Sequence, residues 1–366
     1  PMSSSFGKML TVTIFGQSHG EAIGAVIDGL PAGIRLDFDE IERFMARRAP
    51  GGAFSTARRE TDRPRILSGL CGGVTCGAPL CAVIENGDRR SQDYEKLRDL
   101  PRPMHADYSA FVKYHGANDI RGGGQFSGRL TAPLCFAGAA AIQLLARKGV
   151  MVGAHIAAIH GVEDAPFDPV SVDAETLRTV SAKPFPVLDD QAGRRMKAEI
   201  EATRQKLDSV GGIVECAVSG LPAGLGEPLC ESLESRISSA VFSIPAVKGI
   251  EFGAGFSASA MTGSEHNDPF VMKAGRVATE TNRHGGILGG ISTGMPLLFR
   301  AAFKPTPSIA LEQRTVSLSG ECGAPLVIHG RHDPCVVLRA VPCVEAAAAL
   351  VLLDLMLESK GRDEWN

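Results

Sequence analysis

The pentapeptide GLPAG occurs twice in the chain, at residues 29–33 and 220–224. Each copy follows an apolar run (AIGAVID at 22–28, IVECAVS at 213–219) and precedes an amphipathic segment with an acidic start. A short apolar run closed by glycine and proline reads as a strand entering a turn. After the first copy, Asp39 and Glu42 predict a helix start, with Ile41, Phe44 and Met45 on its apolar face and Arg47, Arg48 and Pro50 closing it. Cations favour a helix C-terminus in their own right, so Arg47 and Arg48 have a structural reading beside any functional one. After the second copy the helix is expected at 229–242. Two matching strand–turn–helix units, near 24–49 and 213–242, predict an α/β fold with internal pseudo-two-fold duplication. No linker divides the 366 residues, so 1–366 are expected to form a single domain, a sandwich of interleaved sheets and helices.

Residues 9–16 (MLTVTIFG) alternate and are β-branched, and 74–85 and 151–161 read as further strands. Helices are expected over 132–148, closed by Gly149, over the charged stretch 190–208, closed by Gly211 and Gly212, and over the alanine- and leucine-rich stretch 344–359. A net charge of −3 argues against a general nucleic-acid or membrane-surface binder and requires any cationic site to be local. There is no uninterrupted run of 18 apolar residues and no signal-like apolar segment after Pro1, which predicts a cytoplasmic protein without a membrane partner. Nine cysteines, an odd number with no C-x-x-C, predict buried free thiols. No metal is expected: Cys71, Cys76 and Cys81 are five apart, and Pro334 breaks the helix that would align His329, His332 and Cys335.

The chemistry concentrates in glycine-rich loops. Residues 119–131 read DIRGGGQFSGRLT, with Gly122, Gly123 and Gly124 between Arg121 and Arg129. Glycine reaches positive φ cheaply, so successive N–H groups can turn inward and form a concave anion site. Thr131 is expected to cap the next helix and Pro133 to fall in its first turn, which sets the positive helix end beside the loop. The stretch is neither G-x-G-x-x-G nor G-K-[ST], so it indicates an anion without saying which; taken alone, a surface turn with solvated arginines is the alternative. Three turns carry histidine: GQSHGE with His19, RPMHAD with His105 and GRHDPC with His332. Imidazole titrates near neutrality and suits acid–base work, although a histidine tied to a backbone carbonyl is the common alternative. Arg48, Arg58, Arg59, Arg102, Arg121, Arg129, Arg331 and Arg339 lie in or beside these loops. Guanidinium forks match carboxylate and phosphate, but each bond contributes only about 1.5–3 kcal/mol, so a small polyanion needs several together. Residues 50–64 form a basic loop with little but Phe54 to anchor it, and mobility is expected there.

In chain order, GQSHG, DGLPAGI, RRAPG, RPMHADY, RGGGQFSGRLTAP, IPAVKGIEFG, GGILGGIS, KPTPSI and GRHDPC make the chain resemble the chorismate synthase family from end to end. The resemblance implies a β-α-β sandwich and a homotetramer. It also implies a carbon–oxygen lyase acting on phosphate: 5-enolpyruvylshikimate 3-phosphate loses phosphate by anti-1,4 elimination to give chorismate, with reduced FMN and no net redox change. NADPH is the implied reductant in bifunctional members, and no nicotinamide fingerprint is visible in this chain. On the matching motifs, Arg48, Arg102, Arg129 and Arg331 would hold the anionic substrate. His19 would be the acid at the departing phosphate, His105 would face the flavin, and Ser18, Ser127 and Asp333 would relay a proton. FMN would be held by Gly124, Gln125, Phe126, Ser127, Ala246, Gly289, Lys304, Pro305, Thr306, Pro307, Ser308 and Arg331. The chain departs from the family pattern at Gln125 (arginine in many members), Phe126 (serine) and Met104 (glycine), and it lacks the usual basic residue around Phe54. Met104 is expected to stiffen the turn before His105. A reading from another class, a flavin carrier or flavin reductase without the elimination, needs the glycine loops but not two separated acids such as His19 and His105.

Overall fold

The computed structural model describes residues 4–50, 62–87, 97–328 and 333–360. The first half builds an antiparallel sheet from β1 (Ser5–Phe6), β2 (Thr11–Gly16), β3 (Ala22–Asp28), β4 (Arg65–Ser68) and β7 (Leu80–Glu85), with the ribbon β5 (Leu70–Cys71) and β6 (Val74–Thr75) beside it; the sheet order is β1-β2-β3-β7-β4. The second half builds its sheet from β8 (Met151–Ile159), β9 (Val162–Glu163), β10 (Gly212–Ser219), β11 (Val247–Phe252) and β16 (Leu297–Phe303), in the order β11-β16-β10-β8-β9. Its ribbons are β12 (Phe270–Lys273) with β13 (Arg276–Thr279), β14 (Ile287–Leu288) with β15 (Ile291–Ser292), and β17 (Gln313–Ser317) with β18 (Cys322–Leu326). The described helices are α1 (Phe38–Arg48), α2 (Asp107–Lys113), α3 (Thr131–Arg147), α4 (Ala174–Ala182), α5 (Asp190–Gln205), α6 (Leu233–Phe242), α7 (Gly263–His266) and α8 (Val337–Lys360).

Without the ribbons, the short edge strands β1 and β9 and the inserted helices α2, α4, α5 and α7, both halves follow one path. The run β2-β3-α1-β4-β7-α3 matches β8-β10-α6-β11-β16-α8, and the sheet orders β2-β3-β7-β4 and β8-β10-β16-β11 agree. The matched edge strands β4 and β11 also each carry a register shift, at Ile66/Ser68 and at Val247/Gly249. The two GLPAG turns occupy equivalent places, after β3 and after β10.

Helices α1, α3, α6 and α8 fill the space between the sheets, which gives the β-α-β layering. A helix apolar on all sides needs cover on all sides, and α3 and α8 receive it from each other and from a sheet apiece. The segments Gly128–Arg147 and Val337–Ser359 are long and apolar enough to cross a membrane, yet 78% and 100% of their apolar windows are buried inside the fold. On the far face of the second sheet, Leu177 and Val180 of α4 pack with Ala217 and Leu298.

Buried acids fix the layers. Glu345 of α8 accepts both arms of Arg47 (2.6 and 2.8 Å) and the Ala154 N–H (2.8 Å). Asp354, further along α8, accepts the N–H groups of Lys8, Met9 and Leu10 (2.8, 2.7 and 2.7 Å) and Arg236 of α6 (2.5 Å). His155 sits between Asp164 (2.9 Å) and Glu215 (2.8 Å); burial pulls its pKa down, but the two carboxylates outweigh it and leave the imidazole raised.

Several helix limits differ from the sequence reading. The cap of α1 is Asp37, which accepts the Glu40 N–H, not Asp39, because Asp37 has the extended backbone that a cap requires. Residues 229–231 form a separate short turn with Leu229 at positive φ, and Ser232 then caps α6. Helix α5 stops at Gln205 because Leu207 takes a positive φ, and Gly212 begins β10. Helix α8 begins at Val337 and runs through Pro342, since burial of Val337, Ala340 and Val341 outweighs the lost backbone bond.

Gly138 on α3 faces Ala346 on α8, where an added Cβ would stand 2.2 Å from Ala346 Cβ and 2.4 Å from its Cα. Replacing a helical glycine by alanine ordinarily stabilises by up to about 1 kcal/mol. Here the clash with the facing helix reverses the sign: Gly138→Ala should destabilise by about 1–3 kcal/mol. Denaturant melts of the two proteins check this, and an equal or higher midpoint in the variant would contradict the close helix contact.

Candidate active site

The long connections from β7 to α3 and from β16 to α8, equivalent in the two halves, supply most of the wall of a cavity of about 670 Å³. The C-terminal ends of the matched helices α1 and α6 complete it through Arg48, Pro50 and the segment 242–248. Both halves therefore contribute from corresponding positions.

Three consecutive glycines, of which Gly122 lies on the wall and Gly123 and Gly124 are buried behind it, have φ of +58°, +84° and +54°. Such angles disfavour any side chain, and the space forbids one as well. A Cβ on Gly122 would lie 2.3 Å from the His19 Cε1 and Nδ1 atoms and 2.6 Å from Ser18 Oγ. One on Gly123 would lie 3.0 Å from His105 Cε1 and 3.2 Å from its Nε2. One on Gly124 would lie 2.2 Å from the Asp119 carbonyl oxygen. The glycines are thus a thin partition against which both histidines rest. His105 lines the cavity, whereas His19 (3% exposed) and Ser18 are buried behind Gly122, which itself lines it. The Ser18 N–H donates to the Gly124 carbonyl (3.1 Å) and fixes the depth of this turn.

Arginines stand beside this partition. Arg48 is 2% exposed; its guanidinium meets Asp62 (2.7 Å), the Thr131 hydroxyl (2.9 Å) and the Gly128 carbonyl (3.0 Å). Arg129 meets the other oxygen of Asp62 and the Asn86 side chain (2.9 Å). Asp62, itself at φ +47°, is therefore a shared counter-ion between two arginines. Arg102 grips Asp107 with two arms (2.7 and 2.8 Å), and His105 Nδ1 lies 2.8 Å from the same carboxylate. Arg102 Nη2 is also 3.1 Å from that nitrogen; because an ionised carboxylate can only accept, the Nδ1 that bonds Asp107 carries the proton and donates it there. Burial alone would raise the Asp107 carboxyl; the hydrogen bonds from Arg102 and His105 overcome it and hold the group well below the usual carboxylate range.

The second half supplies Lys304, Thr306, Pro307 and Ser308, with Lys248, Ala246 and the apolar residues Phe242, Ile244 and Pro245. Ala246 has φ +78°, and its carbonyl accepts the Lys304 N–H (2.9 Å), which locks this turn to the 304–308 loop. Lys304 Nζ donates to the Met104 carbonyl across the cavity; burial, with the nearby charge of Lys248, lowers its pKa. Arg339 of α8 pairs with Asp333 (2.6 Å) and donates to the Arg48 carbonyl (2.8 Å). Among the described lining residues there are six lysines and arginines and one carboxylate, Asp333.

The structure thus brings to one cavity His105, Asp333, Ser127, Arg48, Arg102, Arg129, Gln125, Phe126, Ala246, Lys304, Thr306, Pro307 and Ser308. Gly124 is buried beneath the wall, and Pro305 is not on it. Gly289 is also absent from the lining: it belongs to the tight β14–β15 turn, with φ +62°. Arg121 turns to Asp119 (2.8 Å) and stays largely solvated. Thr131 does not cap α3; its hydroxyl donates to Gly128 (2.6 Å) and receives Arg48. Met104 adopts φ +57°, the conformation a glycine would take there, so the turn is strained rather than merely stiff. Arg331, His329, His332 and the basic loop with Phe54, Arg58 and Arg59 lie outside the described residues.

Sequence reasoning missed Asp62, Asp107, Thr131 as an arginine acceptor and Lys248, and it left Arg339 among the loop arginines without a specific role. Asp107 had a signal, five residues after Arg102 in the histidine turn itself. Asp62 had a fainter one, as an acid at the end of an arginine-rich loop.

The chorismate synthase family model matches residues 10–357. The chain belongs to the chorismate synthase family. It is 50% identical over 355 residues to a protein named chorismate synthase from Thermococcus gammatolerans, covering 97% of this chain and 98% of that one. A chorismate synthase from Lancefieldella parvula is 45% identical over 366 residues, at 97% and 96% coverage. A solved structure, described as a crystal structure of chorismate synthase, superposes with a TM-score of 0.75 at 26% identity, covering 97% of this chain and 94% of that one. Membership in the chorismate synthase family makes the chain an enzyme and accounts for the β-α-β layering.

Asp107 gives a test of the site's electrostatics. Its folded pKa lies below its ordinary value of 3.8, so its stabilising contribution is complete above about pH 4 and is lost as pH falls through the folded value. Asp107→Asn leaves Arg102 without its partner and should cost about 3 kcal/mol at neutral pH. The stability gap between wild type and variant should stay constant from about pH 5 to 8 and narrow below about pH 4. Melts across that range check it, and a gap that widens in acid would refute the assignment.

Proposed function

We propose that the protein converts 5-enolpyruvylshikimate 3-phosphate to chorismate and phosphate by anti-1,4 elimination, as a carbon–oxygen lyase that uses reduced FMN without net redox change. The observation that carries this reading is the cavity itself: six cations around one carboxylate, bordered by an apolar slot, with two histidines against one glycine partition. A substrate with one phosphate and two carboxylates needs such a cluster, because each charge-assisted bond contributes only about 1.5–3 kcal/mol.

The residues present fit a flavin phosphate and ring. Thr306 Oγ1 is buried without a hydrogen-bond partner among the described residues, and it lines the cavity with Lys304 and Ser308. Phe126, Ile244 and Pro245 offer the apolar faces that a planar ring requires. On this reading Gly124, Gln125, Phe126, Ser127, Ala246 and the 304–308 loop hold the cofactor, while Gly289 and Arg331 rest on the family resemblance alone. When bound, reduced FMN supplies the electron that eases loss of phosphate and recovers it afterwards.

The chain's own groups bind, orient and move protons. Arg48, Arg102 and Arg129 hold the substrate anions, with Asp62 and Asp107 fixing the direction of each guanidinium. His19 protonates the departing phosphate from behind Gly122, where the missing side chain allows close approach. His105, oriented by Asp107, presents its Nε2 edge toward the glycines and the flavin side. Ser18, Ser127 and Asp333 form the proposed proton relay; Asp333 is anchored by Arg339 and Ser127 by the Arg129 N–H. The enzyme acts in the cytoplasm, with either NADPH or an external donor as the source of reducing equivalents.

The proposed assembly is a homotetramer. Support comes from one face of the β12–β13 ribbon, where Phe270, Met272 and Val277 are exposed together, with Phe256 nearby in sequence at 82% exposure. Large apolar side chains grouped in the open mark a contact surface. Light scattering should find a multimer, and Phe270→Glu with Met272→Glu should shift it to smaller species; a monomeric wild type would end this part of the proposal.

An anaerobic assay with reduced FMN tests the activity. His19→Ala and His105→Ala should each lower turnover by roughly 10²–10⁴-fold, the range for losing a positioned acid–base group. FMN affinity should survive better in His19→Ala than in His105→Ala. Near-normal turnover in both variants would overturn the acid–base assignments, and no turnover in wild type would favour a flavin binder.

A further inference from the structure

Beneath the arginine frame two thiols touch. Cys135 of α3 and Cys343 of α8 have their sulfurs 3.8 Å apart, close to van der Waals contact. The contact is built into the helix crossing, since Gly138 and Ala346, one turn further along each helix, bring the two backbones together. Both are buried, Cys135 completely and Cys343 at 2% exposure, and Cys343 lies at the cavity wall with Arg48, Thr131, Arg339 and Ala340. The surroundings polarise the pair. The hydrogen bond from Cys135 pulls the Cys343 thiol below its ordinary range against the cost of burial, and Arg48, Thr131 and Arg339 add to the pull. Burial instead pushes Cys135 up, and Cys343, on the cavity side and near the Arg48 and Arg339 guanidinium groups, is the thiol placed to meet a small oxidant.

We propose that Cys343 and Cys135 form an oxidisable pair on the floor of the cavity, closed to a disulfide by a small peroxide and reopened by a thiol reductant. The Cys343 thiolate attacks one peroxide oxygen, the O–O bond breaks, and the leaving hydroxide takes a proton to become water. Sulfur has lost two electrons and stands as a sulfenic acid. The Cys135 sulfur gives up its proton and attacks that sulfur, the S–O bond breaks, and a second water leaves. Two thiols and one hydrogen peroxide thus give one disulfide and two waters.

The bond would disable the site. A disulfide holds its sulfurs about 2.05 Å apart, so α3 and α8 must shift or their side chains rotate to close the gap from 3.8 Å. Arg48 rests on both helices at this level, through Thr131 of α3 (2.9 Å) and Arg339 of α8 (2.8 Å). A displacement of about 1 Å in a positioned charge costs on the order of 100-fold in rate.

The test treats the full-length protein with hydrogen peroxide, alkylates it in denaturant and maps the thiols by mass spectrometry. The expected result is a Cys135–Cys343 linked peptide, with turnover falling roughly 100-fold in proportion to the linked fraction and returning on addition of dithiothreitol. Cys135→Ala should keep its basal turnover and form no link, and after peroxide it should carry a dimedone adduct on Cys343. The exposed Cys71, Cys76, Cys230 and Cys322 serve as internal controls. Oxidation of those four while Cys135 and Cys343 stay alkylatable would overturn the proposal, as would a fully linked protein that keeps its turnover. The turnover arm rests on the function proposed above and the mass arm does not, so absent activity in reduced protein would count against that function and leave the thiol chemistry standing.

Discussion

Six like charges cannot share one small cavity unless something holds them there. At an effective dielectric of about 20, two unit charges 4 Å apart repel by about 4 kcal/mol, comparable to a large share of a protein's net stability. The structure meets this with two buried carboxylates, each serving two partners. Asp62 joins Arg48 to Arg129, and Asp107 joins Arg102 to His105. Neither carboxylate lines the cavity, and all four partners do. The acids stand behind the cations, so the wall keeps its positive face while the repulsion is offset from the rear. Aimed guanidinium groups are what an anionic substrate needs, and the same ion pairs that make the fold tolerable also fix their direction.

Duplication explains why such a site can be assembled from distant parts of the chain. The β7–α3 and β16–α8 connections are equivalent in the two halves, and so are the ends of α1 and α6. Packing α3 against α8 brings all four together. Each half then specialises: the first carries the glycines, histidines and most arginines, the second the Lys304–Ser308 loop and an apolar wall. The buried acids of α8 extend the pattern, since Glu345 takes Arg47 of α1 and Asp354 takes Arg236 of α6, the equivalent helix.

The sequence made legible what depends on local chemistry. GLPAG announced the duplication, and three glycines announced positive φ and a concave loop, because both follow from what a few neighbouring residues can do. It could not announce contacts across long separations. Nothing local says that Gly122 lies against His19, or that Asp62 divides itself between residues 48 and 129. Thr131 is a case of competition: a hydroxyl at a helix start normally caps it, but here a buried arginine needs an acceptor and takes it. Gly289 is a case where the motif fixes a tight turn, the β14–β15 ribbon, but the local chemistry does not say what that turn faces.

Met104 and Ala246 show how far the site is strained to stay closed. Both hold left-handed backbone without being glycine, on walls contributed by different halves, and such positions cost of order 1–3 kcal/mol each. Lys304 connects them: its N–H goes to the Ala246 carbonyl and its ammonium to the Met104 carbonyl. A carbonyl turned toward the cavity by a left-handed residue is placed to receive a lysine that an ordinary turn would leave unmet. Here two unfavourable backbone conformations are tied together by one cation, which lowers the cost of the strain and sets the width of the cavity. Burial and Lys248 already make that ammonium harder to keep charged, so an arriving phosphate would find a cation whose charge it could stabilise. The same lysine that joins the two halves is thereby left with electrostatic attraction to spare for a ligand.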